Sequence, residues 1–174
     1  AVLERKLPVG ALVTTSGFED VLEIGRHLRR DVYANRAESR SLLIPRSRRF
    51  GVVERIRADG RAEGEPAPDE LKVLASHIAE SDAETLAVCC LNAHVNSDHE
   101  HAIATAIATE MPTLPISMSS DISPEFREFE RTSTTVLNAL LMPVVGDYLV
   151  RLENLLRDQG LMAPVYLVQS NGGV

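Results

Sequence analysis

Residues 125–174 carry the sequence EFREFERTSTTVLNALLMPVVGDYLVRLENLLRDQGLMAPVYLVQSNGGV, which predicts a long helix and then a short apolar strand that ends at a double glycine. Ser123, Pro124 and Glu125 supply a hydroxyl cap, a proline suited to the first turn and an acid at the positive end of the dipole. The apolar residues that follow recur every three or four positions, which predicts a helix buried on much of its circumference. They are Val136, Leu137, Leu140, Leu141, Val144, Val145, Tyr148, Leu149, Leu152, Leu155 and Leu156.

Two residues interrupt this helical pattern. Pro143 has no amide hydrogen and crowds the preceding turn, so we expect two helices placed end to end. Gly160 supplies the stop after the second helix. The strand that comes next turns abruptly polar at Gln169, which predicts a loop at the end of a buried strand.

Upstream of this stretch, strand and helix patterns alternate. Residues 11–15 predict a strand that leads into a helix over residues 17–30, and Ser16 and Glu19 have the spacing of a capping box. Residues 85–91 form a continuous apolar run, which is typical of a central strand in a parallel sheet. The alternation predicts an α/β fold, a mainly parallel sheet with helices on both faces.

Shorter patterns complete the prediction. Residues 50–56 predict a strand with a turn at residues 58–60, and a helix starts at Asp69 with a buried stripe of apolar residues. Another helix ends before Pro112, and residues 114–120 predict one more short strand. Ligands of such sheets bind at the carboxyl ends of the strands, in the loops around residues 14–17, 92–98, 118–123 and 169–173.

Length, charge and cysteine content narrow the class of protein. The chain has 174 residues, enough for one domain with a real core, and a net charge of −7 that argues against nucleic-acid binding. Cys89 and Cys90 are adjacent on a strand and cannot bridge each other, which indicates a reducing compartment. No run approaches 18 apolar residues, and the N-terminus lacks the pattern of a signal peptide, so we predict a cytoplasmic protein that does not contact a membrane.

Ten of the 18 basic residues lie between Arg26 and Arg57, and all ten are arginines. Arginine binds carboxylates and phosphates through two parallel hydrogen bonds, so this segment is compatible with an anionic ligand or an acidic partner. A solvated basic face is the simpler interpretation.

A cluster of histidines and acids follows the central strand. His94, Asp98, His99, Glu100 and His101 are residue types that bind zinc. Their spacing does not support a metal site, because residues two apart point to different sides of a helix. The alternative is that Asn96 or Ser97 caps the helix while its acids face the positive end of the dipole, and we therefore predict no metal.

Several stretches resemble the family of hydantoinase A and oxoprolinase, which includes N-methylhydantoinases, 5-oxoprolinases and beta-type subunits of acetone carboxylase. The resemblance rests on LVTTSGFEDVLEIGRHLRRDVY, ERIRADG, NSDHE, EFREFERTSTTVLNA and VQSNGG, in that order along nearly the whole chain. Two positions depart from the family pattern: His27 stands where Gln is usual, which puts in doubt any substrate contact there, and Ser97 stands where Pro is common.

The resemblance implies a place in the superfamily of actin and hexokinase, with ATP and Mg as cofactors of the complete protein. The two glycine-rich phosphate motifs of that superfamily would lie upstream of Ala1 and downstream of Val174. We therefore expect that this chain is a piece of the N-terminal region of a larger subunit, and that it holds no cofactor and does not hydrolyse ATP alone. Its implied partners are the rest of its own polypeptide, a hydantoinase B-type subunit or domain and a small-molecule substrate.

The family motifs also mark candidate ligand-binding residues, although the catalytic residues themselves remain unassigned. Glu23 and Arg26 coincide with one motif and either line a site or form an exposed ion pair. Four successive hydroxyl residues, 132–135, are poor helix formers. Either their hydroxyls bond to carbonyls a turn earlier, or Arg131, Thr134 and Asn138 project from one face toward a neighbouring domain or the active cleft, which we favour.

The loop of Ser170, Asn171, Gly172 and Gly173 is the remaining candidate. Its glycines permit a close approach of another group, and its polar side chains can hydrogen-bond a substrate or nucleotide. The rival interpretation is a plain hairpin turn, because Asn-Gly is itself a strong turn signal.

Three functions stay open at this point. The first is part of an ATP-dependent hydrolase that opens cyclic amides such as hydantoins or 5-oxoproline, where phosphorylation of the amide oxygen makes a better leaving group. The second is the beta-type subunit of an ATP-dependent ketone carboxylase. The third is a non-catalytic scaffold or interaction domain, which the basic segment and the missing nucleotide loops favour.

Overall fold

The computed structural model describes residues 2, 4, 6–26, 42–166 and 168. Six strands, five α-helices and one 3-10 turn follow one another in this part of the chain. In order, they are β1 (Gly10–Thr15), α1 (Val21–Ile24), the 3-10 turn (Arg46–Arg48), β2 (Arg49–Val52), β3 (Arg55–Ile56), β4 (Ala62–Gly64), α2 (Pro68–Glu80), β5 (Thr85–Cys89), α3 (Asp98–Glu110), β6 (Ile116–Met118), α4 (Ser119–Ile122) and α5 (Glu128–Asp158).

Four strands form a parallel sheet in the order β2-β1-β5-β6. Gly10 of β1 pairs with Thr85 of β5, and Leu12 pairs with Arg49 of β2 on the other side. All five residues of β5 are buried, as a strand covered on both faces requires. The prediction of a central strand in a mainly parallel sheet is confirmed.

Helices cover both faces of this sheet, which confirms the predicted α/β class. On one face, α2 and α3 pack their apolar stripes against β1 and β5 around Ile78, Ile103 and Val88. On the other face, α1 and the first half of α5 pack around Leu22, Leu140 and Ala87. Successive side chains of a strand point to opposite faces, so Cys89 belongs to one core and Cys90 to the other.

The predicted hairpin is present, although the strand before it is divided. β2 joins the main sheet and β3 pairs antiparallel with β4. Gly60 has φ +83°, the left-handed conformation that a tight turn demands of glycine. Asn92 donates to the carbonyl of Ile56 at 2.9 Å and Asn96 to that of Gly60 at 3.0 Å, so the hairpin is held against the loop after β5.

The start of α1 differs from the prediction. The proposed capping box is wrong, because the helix begins at Val21 and the amide of Ser16 bonds instead to the carbonyl of Val52 at 2.8 Å. Glu19 accepts from the amide of Gly17 at 2.9 Å, which closes a turn before the helix. Gly25, with φ +56°, ends the helix, and residues 27–30 of the predicted helix lie outside the described residues.

Helix α5 begins at Glu128 and continues without a break to Asp158, so the predicted start at Ser123 and the division at Pro143 are both wrong. The proline frees the carbonyl of Ala139, four residues earlier, and the hydroxyl of Thr85 donates to that carbonyl at 2.8 Å. A side chain of the central strand therefore replaces the missing amide.

The predicted stop at Gly160 is confirmed. Gly160 has φ +84° and its amide donates to the carbonyl of Arg157 at 2.9 Å. The amide of Leu161 donates to the carbonyl of Leu156, also at 2.9 Å. This pair of bonds is a Schellman motif, which satisfies carbonyls that the end of a helix leaves open.

Burial along α5 differs between its two halves. Every buried residue of the helix lies between Arg131 and Leu140, and none lies beyond. The prediction of burial on much of the circumference is therefore wrong for the second half. By length and composition alone, with a mean hydropathy of 1.3 in its most apolar window, α5 could cross a membrane. This is weak evidence, because core helices of water-soluble proteins meet the same criterion.

Candidate functional site

Buried polar side chains gather at one edge of the sheet, where the carboxyl ends of the parallel strands meet. We call Thr15, Glu54, His99, Glu100 and Arg131 the strand-end cluster, and each has at most 5% of its surface exposed. Thr15 ends β1, Glu54 follows β2, and the next two residues lie in the first turn of α3. Arg131 comes from the first turns of α5. Four ionisable side chains in a protein interior need partners, because an unpaired buried charge is costly.

Glu54 holds two of these elements together. One of its carboxylate oxygens accepts from the hydroxyl of Thr15, and the other contacts Nδ1 of His99 at 2.6 Å. The Thr15 hydroxyl in turn accepts from the amide of Leu91 at 2.8 Å. The first turn of α3 is thereby tied to the ends of β1 and β2.

Glu100 is fully buried and receives three hydrogen bonds. Its carboxylate accepts from the amide of Cys90 at 2.8 Å, the hydroxyl of Ser119 at 2.6 Å and the amide of Ser120 at 2.9 Å. Bonds to an ionised acceptor are about twice as strong as neutral ones. Glu100 therefore joins the end of β5 to the start of α4.

Arg131 has 1% of its surface exposed and meets the rest of the cluster at Cys90, whose amide donates to Glu100. Its guanidinium donates to the carbonyl of Cys90 at 2.7 Å, to Nδ1 of His94 at 3.0 Å and to the carbonyl of Glu125 at 3.3 Å. In the part of the chain that the structure describes, its Nε has no partner and no carboxylate pairs with it. The guanidinium thus brings a positive charge to the strand ends, and its hydrogen bonds go to two carbonyls and an imidazole nitrogen.

A narrow pocket of about 10 Å³ lies beside Arg131, enough for about one water molecule. Thr14, Cys89 and Thr132 contribute to its lining, and Phe18 and Glu128 are also among the lining residues. A larger groove of about 570 Å³ lies between the edge strand β2 and α2. It is lined mainly by apolar surface, with Arg49 of β2 and the acids Asp69 and Glu70 of α2 among its charged residues.

The thiols of the two cysteines are poorly suited to nucleophilic chemistry. Burial raises the pKa of Cys89, and it raises the pKa of Cys90 well above its usual range, where nearby Glu54 adds to the effect. Only the thiolate is a nucleophile or a metal ligand. Both side chains therefore act as small core residues.

The histidine segment divides between separate networks. His99 contacts Glu54, His94 contacts Arg131, and His101 is exposed. Among the residues that the structure describes, no group of three or more His, Cys, Asp or Glu side chains is placed to hold a metal ion. Ser97 occupies the cap position of α3 without a side-chain cap bond, while Asn96 accepts from the amide of Asp98 at 2.9 Å.

Glu23 and Arg26 both form ion pairs, but with residues distant in sequence. Arg26 pairs with Glu130 of α5, and Glu23 lies 3.3 Å from the guanidinium of Arg49. The pair with Glu130 joins the end of α1 to the start of α5. Their role in ligand binding stays a prediction.

The described arginines of the basic segment are engaged in contacts within the molecule. Each of its six arginines in the described ranges contacts an acid, a carbonyl or an aromatic ring of this chain, which leaves little support for a free anion-binding surface. These are Arg26, Arg46, Arg48, Arg49, Arg55 and Arg57.

Arg131, Thr134 and Asn138 point in different directions. Arg131 is directed to the end of β5, Thr134 is exposed and donates to the carbonyl of Glu130 at 2.9 Å, and Asn138 donates to the hydroxyl of Ser117 at 2.9 Å. The first of our two explanations, bonding of hydroxyls to carbonyls a turn earlier, is confirmed for Thr134 and Thr135. The ligand-binding roles of these three residues remain predictions, and residues 170–173 lie outside the described residues.

The sequence analysis did not identify Glu54, His99 and Glu100 as members of one buried cluster. A signal existed for α3, because its buried residues Ile103 and Ile107 continue one helical face back to positions 99 and 100. Glu54 had no such signal, since it lies between two short strands.

Two family models match the chain. The model described as the hydantoinase/oxoprolinase N-terminal region matches residues 1–111, and the model described as hydantoinase/oxoprolinase matches residues 131–174. The first alone covers more than half of the chain. The chain therefore belongs to the hydantoinase/oxoprolinase family.

The individual relatives of this chain carry several different protein names. The chain is 38% identical to an uncharacterized protein of Methanocaldococcus jannaschii over 96% of its own length. It is 32% identical to caprolactamase subunit alpha of Pseudomonas jessenii over its full length, and 29% identical, also over its full length, to 5-oxoprolinase 1 of Arabidopsis thaliana. The chain spans 25% of the first two relatives and 15% of the third.

Two solved structures have the same fold over this length. The ATP-dependent caprolactamase from Pseudomonas jessenii matches 98% of this chain with a TM-score of 0.89 and 28% identity, across 25% of its own chain. Acetone carboxylase in its nucleotide-free form matches 91% of this chain and 24% of its own, with a TM-score of 0.80. At 24% identity, the second match is evidence for the fold alone.

Proposed function

We propose that this chain is part of an ATP-dependent hydrolase that opens cyclic amides of the hydantoin or 5-oxoproline type. The observation that carries the proposal is the strand-end cluster, which gathers buried ionisable side chains at the edge where parallel sheets bind their ligands. Relatives named as a caprolactamase and a 5-oxoprolinase support the substrate class. ATP would supply phosphorylation of the amide oxygen with release of ADP. Addition of water to the same carbon would then break the ring C–N bond, and phosphate would be released to leave the ring-opened acid.

The nucleotide would bind mainly to parts of a longer polypeptide. We propose that residues 1–174 form a single α/β domain within an ATPase domain of the actin and hexokinase type, with Mg bound beside the phosphates. None of the loops in the described ranges has a glycine-rich phosphate sequence. This chain alone should therefore not turn over ATP.

Ligand binding would use the residues that the family motifs mark. Arg131 would act as a positioning residue, because it fixes the end of β5 and the loop that carries His94. The full set comprises Glu23, Arg26, Arg131, Thr134, Asn138, Ser170, Asn171, Gly172 and Gly173.

The partner and the compartment are also proposals. Relatives named as subunits of caprolactamase and of acetophenone carboxylase support a second, hydantoinase B-type subunit or domain. Two buried free thiols suit the reducing cytoplasm.

A ketone carboxylase is the second candidate, favoured by a relative named as acetone carboxylase beta subunit. An assay of the complete polypeptide with ATP, across ring amides and across ketones with bicarbonate, separates the two. Phosphate release that depends on a ring amide supports the hydrolase, and release that depends on ketone and bicarbonate supports the carboxylase. If neither substrate stimulates release, a scaffold role is the remaining interpretation.

Substitution of Asn171 by Ala tests the binding loop in the same assay. We expect a large loss of turnover with an unchanged melting temperature. Asn154, an exposed residue of α5, provides the matched control, because Asn154→Ala should change neither quantity. Retained activity in Asn171→Ala would mean that the loop forms a plain turn and does not bind the ligand.

A further inference from the structure

The second half of α5, residues 141–158, carries an apolar surface that nothing in the described part of the chain buries. Tyr148 is 59% exposed, Leu155 is 63% exposed and Val145 is 43% exposed. At 1.5 Å per residue, these 18 residues extend about 27 Å beyond the part of the helix that packs on the sheet. Large exposed apolar patches mark interaction sites more often than plain surface.

The spacing of these residues indicates what kind of surface it is. Apolar residues at positions 142, 145, 149, 152 and 156 recur at alternating intervals of three and four. This spacing is typical of the seam of a helix that packs against other helices. Together with two flanking residues, they form what we call the exposed apolar face. It comprises Met142, Val145, Tyr148, Leu149, Leu152, Leu155 and Leu156.

The opposite side of the same half-helix is mainly polar, with Val150, 60% exposed, as its apolar member. Asp147, Arg151, Asn154 and Asp158 lie roughly 180° around the axis from the centre of the seam, at 3.6 residues per turn. A helix that crosses a bilayer is apolar all round, so a one-sided stripe favours a protein partner over lipid.

The seam also differs from the face that packs on the sheet. Counted at 3.6 residues per turn, it is rotated by roughly 100° from the buried residues of the first half, such as Thr135 and Ala139. The second half therefore does not repeat the contact of the first half. It presents a separate surface to a separate partner.

We propose that the remaining hydantoinase/oxoprolinase region of the same polypeptide packs on the exposed apolar face. It would make this contact through apolar helices. This rests on the proposed function, in which the chain is part of a larger protein. The model of the N-terminal region ends at residue 111 and the model of the second region begins at residue 131, inside α5. The first half of α5 packs on strands that the first model matches, so the helix would join the two regions, with its second half in the core of the second region.

The lengths of the relatives support this occupant. The caprolactamase chain contains the same fold over 98% of these residues, yet they make up only 25% of that chain. A second copy of this chain is a weaker candidate, because a standard stable interface takes about 20–30 residues from each side. One face of an 18-residue half-helix offers fewer.

The first experiment uses the 174-residue chain. Val145→Glu combined with Tyr148→Glu places two charges on the exposed apolar face, and Asn154→Glu places one on the polar side as the control. We expect a monomer by light scattering that binds an apolar dye such as ANS, with dye binding lost in the double variant and kept in the control. All three proteins should melt within about 2 °C of one another, because surface substitutions have small effects. A dimer that the double variant dissociates, or binding to phosphatidylcholine vesicles, would overturn the proposal.

The second experiment places the same substitutions in the complete polypeptide. There we expect the double variant to melt at least 5 °C below the wild type, while Asn154→Glu does not. Equal melting of the two variants would refute the proposal, whatever the enzyme does. If the double variant is destabilised and the wild type consumes ATP with no ring amide, the packing inference stands and the proposed function fails.

Discussion

The fully buried contact between Thr85 and the carbonyl of Ala139 offers the sharpest test of how α5 tolerates a proline. An α-helical carbonyl normally accepts from the amide four residues later, and Pro143 has none. The Thr85 hydroxyl donates in its place at 2.8 Å, with a longer contact of 3.2 Å to the carbonyl of Pro115. We predict that Thr85→Val destabilises the fold because it removes this donor and keeps the shape of the side chain.

The magnitude follows from the group left behind. A buried polar group without a hydrogen-bond partner costs about 1–3 kcal/mol, so the free energy of unfolding should fall by about that amount. Pro143→Ala restores an amide to the helix and should raise stability by about 2 kcal/mol, less than the roughly 3 kcal/mol of helix propensity because alanine frees the unfolded chain. In that background, Thr85→Val should cost about 1 kcal/mol less than in the wild type.

The wild type, the two single variants and the double variant form a double-mutant cycle. Urea unfolding followed by far-UV circular dichroism measures the stability of all four proteins. Thr105→Val, on the exposed side of α3, is the control and should change stability by less than about 0.5 kcal/mol. An equal cost of Thr85→Val with and without Pro143 would refute the reasoning, since it would mean that the hydroxyl and the proline act independently.

Three further predictions use single sites. Glu100→Gln should lower the free energy of unfolding by about 1.5–3 kcal/mol, because the new side-chain amide group faces a backbone N–H donor. Glu110→Gln, at the exposed end of the same helix, is the control and should not change the free energy of unfolding in the same urea titration. The two buried thiols should react slowly with a disulfide reagent at pH 8 in the folded protein and rapidly in denaturant, because burial raises their pKa; fast labelling of the folded protein would contradict this. Bonds to its own backbone amide and to Arg26 lower the pKa of Glu130, so its contribution is present above the ordinary carboxyl pKa and is lost as the pH falls through the lowered pKa. Melting curves should accordingly show Glu130→Gln below the wild type at neutral pH and equal to it in acid; a constant difference would argue against this linkage.

Where local pattern decides the structure, the sequence was sufficient. The predicted buried stripe of α2 is confirmed as Leu71, Leu74, Ala75 and Ile78, because a helix that covers a sheet repeats its buried face every three or four positions. The continuous apolar run of β5 likewise predicted a strand covered on both faces.

Where distant residues decide it, the sequence misled. Pro143 signals a break by local rules, and only the hydroxyl of Thr85, 54 residues before the freed carbonyl of Ala139, removes the need for one. The capping box at Ser16 failed because the amide of that residue is taken by Val52 from a neighbouring strand end. Glu54 and His99, 45 residues apart, meet through the same kind of long-range contact.

The order of strands in the sheet has a consequence for how the chain folds. The two middle strands lie far apart in sequence, and the bond from the Val9 amide to the Glu84 carboxylate spans 75 residues. Contacts of such separation require a long loop to close before they contribute, so they form late and slow the folding rate. During synthesis, β2 can pair with one edge of β1 first, but the other edge of β1 stays unpaired until β5 follows. That interval is when a chaperone, or another nascent chain, has access to the strand that later forms the centre of the sheet.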